Sequence, residues 1–274
     1  MKLMHYIRTT ARFFAFLERF LVAGENIGLI DAIKLFFLYR FFPPSENTSI
    51  FIQKLKRRFF FRGNSDAGII SHLYTSGYRI CDRGTDQIKF IIDAGANIGV
   101  ETLRFRFFHP TAKIIAIEPA EDNFRLLQQN CHGDEGIALV NKGLWSEACQ
   151  LRVIAGSNNE SFRVIRVSED SDGNVLATSI EELMSAFNIP EIDILKLDVE
   201  GAEYQIFSEH VENWIDKVKV FIFECPDNDH KGAAFRIFKS LENLSYNCFI
   251  HGENLVLIRN DVPWELESNL FFEW

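Results

Sequence analysis

Cysteine is scarce in this chain. Cys81, Cys131, Cys149, Cys225 and Cys248 are odd in number, widely scattered and form no Cys-x-x-Cys pair. That set excludes a disulfide framework and a zinc ribbon, and predicts reduced, mostly buried thiols in a cytoplasmic protein. Long uncharged apolar runs are missing as well. The run 13–21 contains Glu18 and Arg19, and the run 27–42 is broken by Asp31, Lys34 and Arg40 before Pro43 and Pro44 stop it. A membrane-spanning helix needs about 20 nearly uncharged residues, so neither run spans a bilayer, and no cleavable leader is expected. Internal repeats and low-complexity tracts are absent.

With 274 residues, 47% hydrophobic and 24% charged, the chain is globular and near the length at which a single core stops growing. One main domain with an appendage is the natural expectation. The net charge of −9 conceals an asymmetry: residues 1–62 carry eleven Lys/Arg against four Asp/Glu, which is +7 and leaves −16 for the remainder. The same 62 residues hold twelve of the 27 phenylalanines. We therefore read 1–62 as a basic, Phe-rich helical segment and 63–274 as the catalytic domain. Phe13, Phe16, Leu17, Phe20 and Leu21 recur at helical spacing. The stretch 54–61 mixes Lys54, Lys56, Arg57 and Arg58 with three phenylalanines. Three roles are weighed for the segment: a layer packed on the domain or on a second copy, a peripheral contact with the membrane's inner face, where each basic residue adds about 1 kcal/mol, and, least favoured, a nucleic-acid contact.

From residue 89 onward, strand and helix patterns alternate. Strands are predicted at 89–93, 113–118, 137–144, 192–198 and 218–224, with closing strands at 246–251 and 254–258. Helices fall at 98–108, 121–130, 202–207 and 231–241, and 151–154 with 162–167 reads as a hairpin. This alternation predicts an α/β fold in three layers, a mostly parallel sheet between helices, with ligands beyond the carboxyl ends of the strands.

The first such end reads Ile91-Ile-Asp-Ala-Gly-Ala-Asn-Ile-Gly99. Gly95 and Gly99 do not complete the G-x-G-x-x-G of dinucleotide sites, and Asp93 would repel a pyrophosphate. S-adenosylmethionine brings an ammonium, a carboxylate and a sulfonium, so it gains from an acid at the strand end and amides at the helix start. Glu118 ends the second strand, where a carboxylate can accept both ribose hydroxyls. Further along, Lys196 and Asp198 share one face of a strand, and a lysine in an apolar strand needs a partner.

Taken with Ile-Glu-Pro119, Asn-Lys-Gly-Leu-Trp145 and Lys-Leu-Asp-Val-Glu-Gly-Ala-Glu203, that loop resembles the FkbM family of S-adenosylmethionine-dependent methyltransferases over roughly 68–258. The resemblance implies a Rossmann-like class I methyltransferase fold and O-methylation of a hydroxyl on a natural product or a sugar. By position it puts Asp93, Gly95, Ala96, Asn97 and Gly99 in the cofactor loop and Glu118 on the ribose. It also lays Gly143 and Leu144 against the adenine. Residues 1–62 inherit nothing from it.

An alcohol is a poor nucleophile at neutral pH, and a positioned base is worth about 10²–10⁴-fold. Asp198 or Glu200 is expected to take the proton, with Lys196 fixing the geometry, while Glu203 caps the following helix. No resident metal is expected. A rival mechanism has Asp198 and Glu224 hold a divalent cation, near Asp227 or Asp229, and His230 is an alternative base. A non-enzymatic scaffold of the same fold is the remaining alternative. Nucleic acid is not an expected partner: the domain is acidic, and no Asn/Asp-Pro-Pro-aromatic element follows the Lys196 strand. The acceptor is expected to be a small molecule, sugar or lipid-linked glycan, walled by 151–167 and 1–62.

Overall fold

The computed structural model describes residues 48–52, 55–62, 78–82, 88–155, 162–167, 175–199, 201–224 and 231–268, together with Ile30, Ile33 and Asp66. The chain divides into two units, Met1–Gly77 and Tyr78–Trp274. In the first, β1 (Thr48–Ile52) and β2 (Arg57–Phe61) form an antiparallel hairpin with Ile50 opposite Phe59. Period two places Ile50, Ile52, Phe59 and Phe61 on one buried face, and leaves Arg58 exposed, donating to Ser49 Oγ at 3.0 Å. The basic aromatic stretch within the expected helical segment is thus a strand. The amphipathic run 13–21 lies outside the described residues, as does 27–42 apart from Ile30 and Ile33.

The second unit is built on a seven-stranded sheet. Its members are β4 (Phe90–Ala94), β5 (Lys113–Ile117), β6 (Ile137–Val140), β11 (Ile192–Leu197), β12 (Val218–Glu224), β13 (Tyr246–His251) and β14 (Asn254–Arg259), in the order β13-β14-β12-β11-β4-β5-β6. All pairings are parallel except those of β14, which runs against both neighbours. The central strands are nearly continuous Ile, Val, Leu and Phe because both of their faces are covered. This is the class I Rossmann-like methyltransferase architecture, with its antiparallel closing strand.

Five helices are described: α1 (Val100–Phe108), α2 (Glu121–Asn130), α3 (Ile180–Ala186), α4 (Glu203–Ile206) and α5 (Ala233–Ser240). Residues of α3, α4 and α5 pack with Ile92, Ala94, Leu195, Leu197, Phe221 and Phe223 in one core cluster, centred on an aromatic group in which Phe207 lies 5.4 Å from Trp214 and 6.1 Å from Phe221. Strand alternation therefore turns Asp93 and Lys196 to the opposite face, the face on which α1 buries Thr102.

The expected boundaries shift at identifiable residues. The first helix starts at Val100 because Gly99 takes a left-handed φ of 94° at its N-cap, and α5 starts after Gly232 for the same reason, with φ 86°. The expected strand 137–144 is two strands. It breaks at Asn141, whose amide reaches the Glu118 carbonyl at 2.8 Å, and then continues as β7 (Gly143–Leu144) in another sheet. That second sheet has the order β7-β10-β8-β9, with β8 (Gln150–Ala155) and β9 (Phe162–Arg166) forming the expected hairpin and β10 (Val175–Thr178) joining it. Strand β10 and helix α3 were not anticipated, although Ser179 and Glu182 form a capping box there. Nor was the pairing of β3 (Tyr78–Asp82) with β15 (Trp264–Ser268). Among the described residues, Cys81 and Cys131 are buried, Cys149 is half-buried and Cys248 is exposed, and no helix is long and apolar enough to cross a membrane.

Candidate active site

Parallel strands β11, β4 and β5 lie side by side, so their carboxyl ends bring Asp198, Asp93 and Glu118 to one crest. Within it, the chain passes from β4 to α1 through a loop whose amides bond mostly to the end of β5. Gly95 and Ala96 donate their N–H groups to the Ile117 carbonyl at 3.0 and 2.9 Å, Asn97 donates to Glu118 Oε2 at 2.9 Å, and Gly99 donates to the Ala96 carbonyl at 2.8 Å. These amides, expected to greet a ligand, are occupied within the protein. The glycine requirement has another cause at Gly95: its φ is +78°, and a Cβ there would stand 1.8 Å from the Asp198 carbonyl oxygen. The loop and the end of β11 thus approach as closely as two backbones can.

Asp93 is fully buried. Its Oδ2 accepts the Thr102 hydroxyl at 2.5 Å, while Oδ1 accepts no hydrogen bond and has Lys196 Nζ at 3.6 Å. Burial raises its pKa, against the lowering effects of Lys196 and Thr102. Lys196 also donates to Asp198 Oδ2 at 3.1 Å, and the Asp198 side chain is 39% exposed. The sequence pairing of Lys196 with Asp198 is present, and Asp93 joins it as a second partner. Asp93 therefore does not stand open at the mouth of the loop. Its charge is set against Lys196 beneath the surface, and the outward-facing acid of the row is Asp198.

Glu118 accepts the amides of Asn97 and Ala120, each at 2.9 Å on a different oxygen, with Asn123 Nδ2 at 3.5 Å. Burial pushes its carboxyl up to about 7 against the lowering effect of those hydrogen bonds. A carboxylate has about four lone-pair sites, so Oε2, which accepts from Asn97 alone, retains room for a ligand donor. Beside it, Asn97 Oδ1 is buried without a hydrogen-bond partner. Asn97 also holds a φ of 49°, which asparagine tolerates better than most residues.

Gly143 and Leu144 are buried in β7, with the Leu144 side chain in the core cluster, and they connect to the crest through Asn141. Glu203 accepts the Val199 and Gly201 amides at 3.2 and 3.0 Å, so it holds the turn after β11, while the start of α4 has no side-chain cap. Glu200, Asp227, Asp229 and His230 lie outside the described residues. Glu224, at the end of β12, is pushed up to about 7 by partial burial and then by repulsion from Asp198 and Glu253. Among the described residues no group of three His, Cys, Asp or Glu side chains is arranged to hold a metal. Thr102 was not singled out in the sequence, and Asn141 entered only as the first residue of the Asn-Lys-Gly-Leu-Trp145 motif. The only signal for Thr102 was a polar residue on the helix face that meets the sheet.

The described crest presents acceptors: Glu118, Asn97 Oδ1 and Asp198. Such a surface suits a ligand rich in donors, with hydroxyls and a cationic group, and disfavours an acceptor-only pyrophosphate. S-adenosylmethionine has that character, since its donors are two ribose hydroxyls and an ammonium.

A family model described as "Methyltransferase FkbM domain" matches residues 93–248. "Methyltransferase 1" of Beauveria bassiana (strain ARSEF 2860) is 28% identical over 159 residues, 48% of this chain and 64% of that protein. "Methyltransferase sdnD" of Sordaria araneosa is 25% identical over 169 residues, 49% of this chain and 65% of that one. The matches thus span just under two thirds of either relative's length. Among solved structures, the METTL16 MTase domain is similar at 10% identity and a TM-score of 0.40, covering 86% of this chain and 80% of that one. Aeropyrum pernix fibrillarin, solved with natively bound S-adenosyl-L-methionine, is similar at 10% identity and a TM-score of 0.38, covering 64% and 67%. Likenesses this distant say nothing about chemistry.

Proposed function

This chain belongs to the FkbM methyltransferase family, and from that membership we propose that it is an S-adenosylmethionine-dependent O-methyltransferase acting on a hydroxyl of a small molecule, sugar or lipid-linked glycan. The observation that carries the cofactor reading is the unpartnered, buried Asn97 Oδ1 beside the Glu118 carboxylate, two acceptors that call for a donor-bearing ligand. In this reading Glu118 holds the ribose. When bound, S-adenosylmethionine supplies an electrophilic methyl carbon on a sulfonium leaving group.

What the chain itself must do is place an acceptor oxygen in line and remove its proton. Alignment alone can supply about 7–11 kcal/mol. Asp198 is at the crest, partly exposed, and steadied by Lys196 at 3.1 Å, so it can accept the hydroxyl proton, and Glu200, two residues on, is the second candidate. Lys196 fixes the carboxylate's direction while staying 6% exposed itself.

Incubation with methyl-labelled cofactor and candidate hydroxyl acceptors tests this. At saturating cofactor, Asp198→Asn or Glu200→Gln is expected to lose 10²-fold or more in turnover, in line with the usual worth of a general base. Near-full turnover in both would place the base elsewhere. A second reading draws on the repulsion between Asp198 and Glu224, which a divalent cation between them would relieve. Activity that disappears with chelator and returns with magnesium would favour it.

A further inference from the structure

The Thr102 side chain is fully buried, yet its hydroxyl is aimed at the crest and not back along its own helix. It begins a continuous row: Thr102 Oγ1 donates to Asp93 Oδ2, Asp93 Oδ1 faces Lys196 Nζ at 3.6 Å, and Lys196 Nζ donates to Asp198 Oδ2 at 3.1 Å. Only Asp198, the last member, is open to a ligand; Asp93 is 0% exposed and Lys196 6%. We propose that Thr102 is a positioning residue, which locks the buried Asp93 carboxylate so that Lys196 is held against Asp198 in the binding-competent direction. Its meaning for ligand binding rests on the function proposed above. The coupling between Thr102 and Asp93 does not.

The physics is that of an ion pair taken out of water. A buried carboxylate stays ionised only where charges and donors hold it, and Asp93 has one donor, Thr102, and one near cation, Lys196. The other charged groups that bear on it, Glu101 on α1 and Asp198 after β11, are both acids and act the other way. Loss of the hydroxyl therefore moves Asp93 towards its neutral form, and Lys196 loses one of its two carboxylates. Valine keeps the shape of threonine without the donor, and serine keeps the donor without the methyl group.

Two measurements on the full chain test the assignment. The first uses no ligand: thermal unfolding of wild type, Thr102→Val and Thr102→Ser between pH 5.5 and 8.5. A carboxyl whose native pKa is raised destabilises the fold as pH rises, and removing its donor raises that pKa further. The Tm deficit of Thr102→Val is thus expected to be larger at pH 8.5 than at pH 5.5, with Thr102→Ser following wild type. A deficit that does not change with pH overturns the proposal. Should Thr102→Val not fold, Asp93→Asn replaces it. With the carboxylate gone, adding Thr102→Ala, which deletes the donor, is expected to cost less than it does in wild type, and an equal cost overturns the coupling.

The second is calorimetric titration with S-adenosylmethionine. Affinity in Thr102→Val is expected to fall about five- to tenfold at pH 7, the scale of one hydrogen bond, and to recover at pH 9. A loss equal at both pH values, or shared by Thr102→Ser, overturns the positioning role. Wild type that takes up no S-adenosylmethionine defeats the proposed function, and the unfolding comparison still decides the coupling.

Discussion

At the scale of single residues, the crest works through side chains whose partners are already chosen. Gly95 is the most constrained, since any Cβ would collide with the Asp198 carbonyl and the φ of +78° disfavours other residues. Gly95→Ala is expected to fold less stably by about 1–3 kcal/mol, the cost of a strained backbone position, and to weaken S-adenosylmethionine at least tenfold by calorimetry. Wild-type affinity in this variant would show that the close approach is dispensable. Glu118 carries a pH prediction. Its folded pKa of about 7 lies above the ordinary 4.5, so the folded state holds the extra proton between those values, and stability is present below about pH 4.5 and lost as pH rises to 7. The effect is on the order of 3 kcal/mol at most. Asp93, Glu203 and Glu224 are raised by burial in the same direction. The apo protein is therefore expected to melt at a higher temperature at pH 5.5 than at pH 8, with the slope reduced in Glu118→Gln. Cofactor binding runs opposite, since it draws on the ionised form: affinity is expected to fall as pH drops below about 7.

At the scale of elements, the sheet is anchored at both ends of β11. Away from the crest, Asp193 accepts the Lys89 and Phe90 amides at 2.5 and 2.8 Å and the Lys219 ammonium at 2.9 Å, tying β4, β11 and β12 together. Asp193→Ala leaves two amides unpaired and Lys219 with Glu191 as its remaining ion-pair partner, and is expected to cost about 3–5 kcal/mol in urea unfolding. Phe221→Ala, which empties the centre of the aromatic group, is expected to cost a similar 3–5 kcal/mol. A loss under 1 kcal/mol in either would contradict the packing described.

The same elements show what the sequence revealed. Strands β4, β5, β11 and β12 were legible because a parallel strand covered on both faces is a run of β-branched and aromatic residues. Glu203 was read as a cap for the next helix, and it instead bonds the turn before that helix. The break at Asn141 was not legible, since it depends on a carbonyl 23 residues earlier. Nor was the enclosure of Asp93, because Lys196 lies on another strand and Thr102 acts from a helix whose facing is set only by packing. The position of Asp93 suggested an open acid. The fold makes it a buried one, with Asp198 outermost.

At the scale of the whole molecule, a segment of +7 is joined to a remainder of −16. We propose that the basic, Phe-rich residues contact an anionic surface, which would suit a lipid-linked acceptor. The full chain is expected to float with anionic liposomes at low salt and to release as salt rises, whereas equal recovery with neutral liposomes would count against it. The crest sets Asp198 and Glu224 outermost, with Asp93 and Glu118 buried beneath, against Lys196 alone among the residues named there, a surplus of acid that disfavours a pyrophosphate. Parallel calorimetric titrations of the wild-type chain with S-adenosylmethionine and with NAD weigh that most directly: saturable heat from the sulfonium and none from the dinucleotide is the predicted result, and the reverse pattern would contradict it.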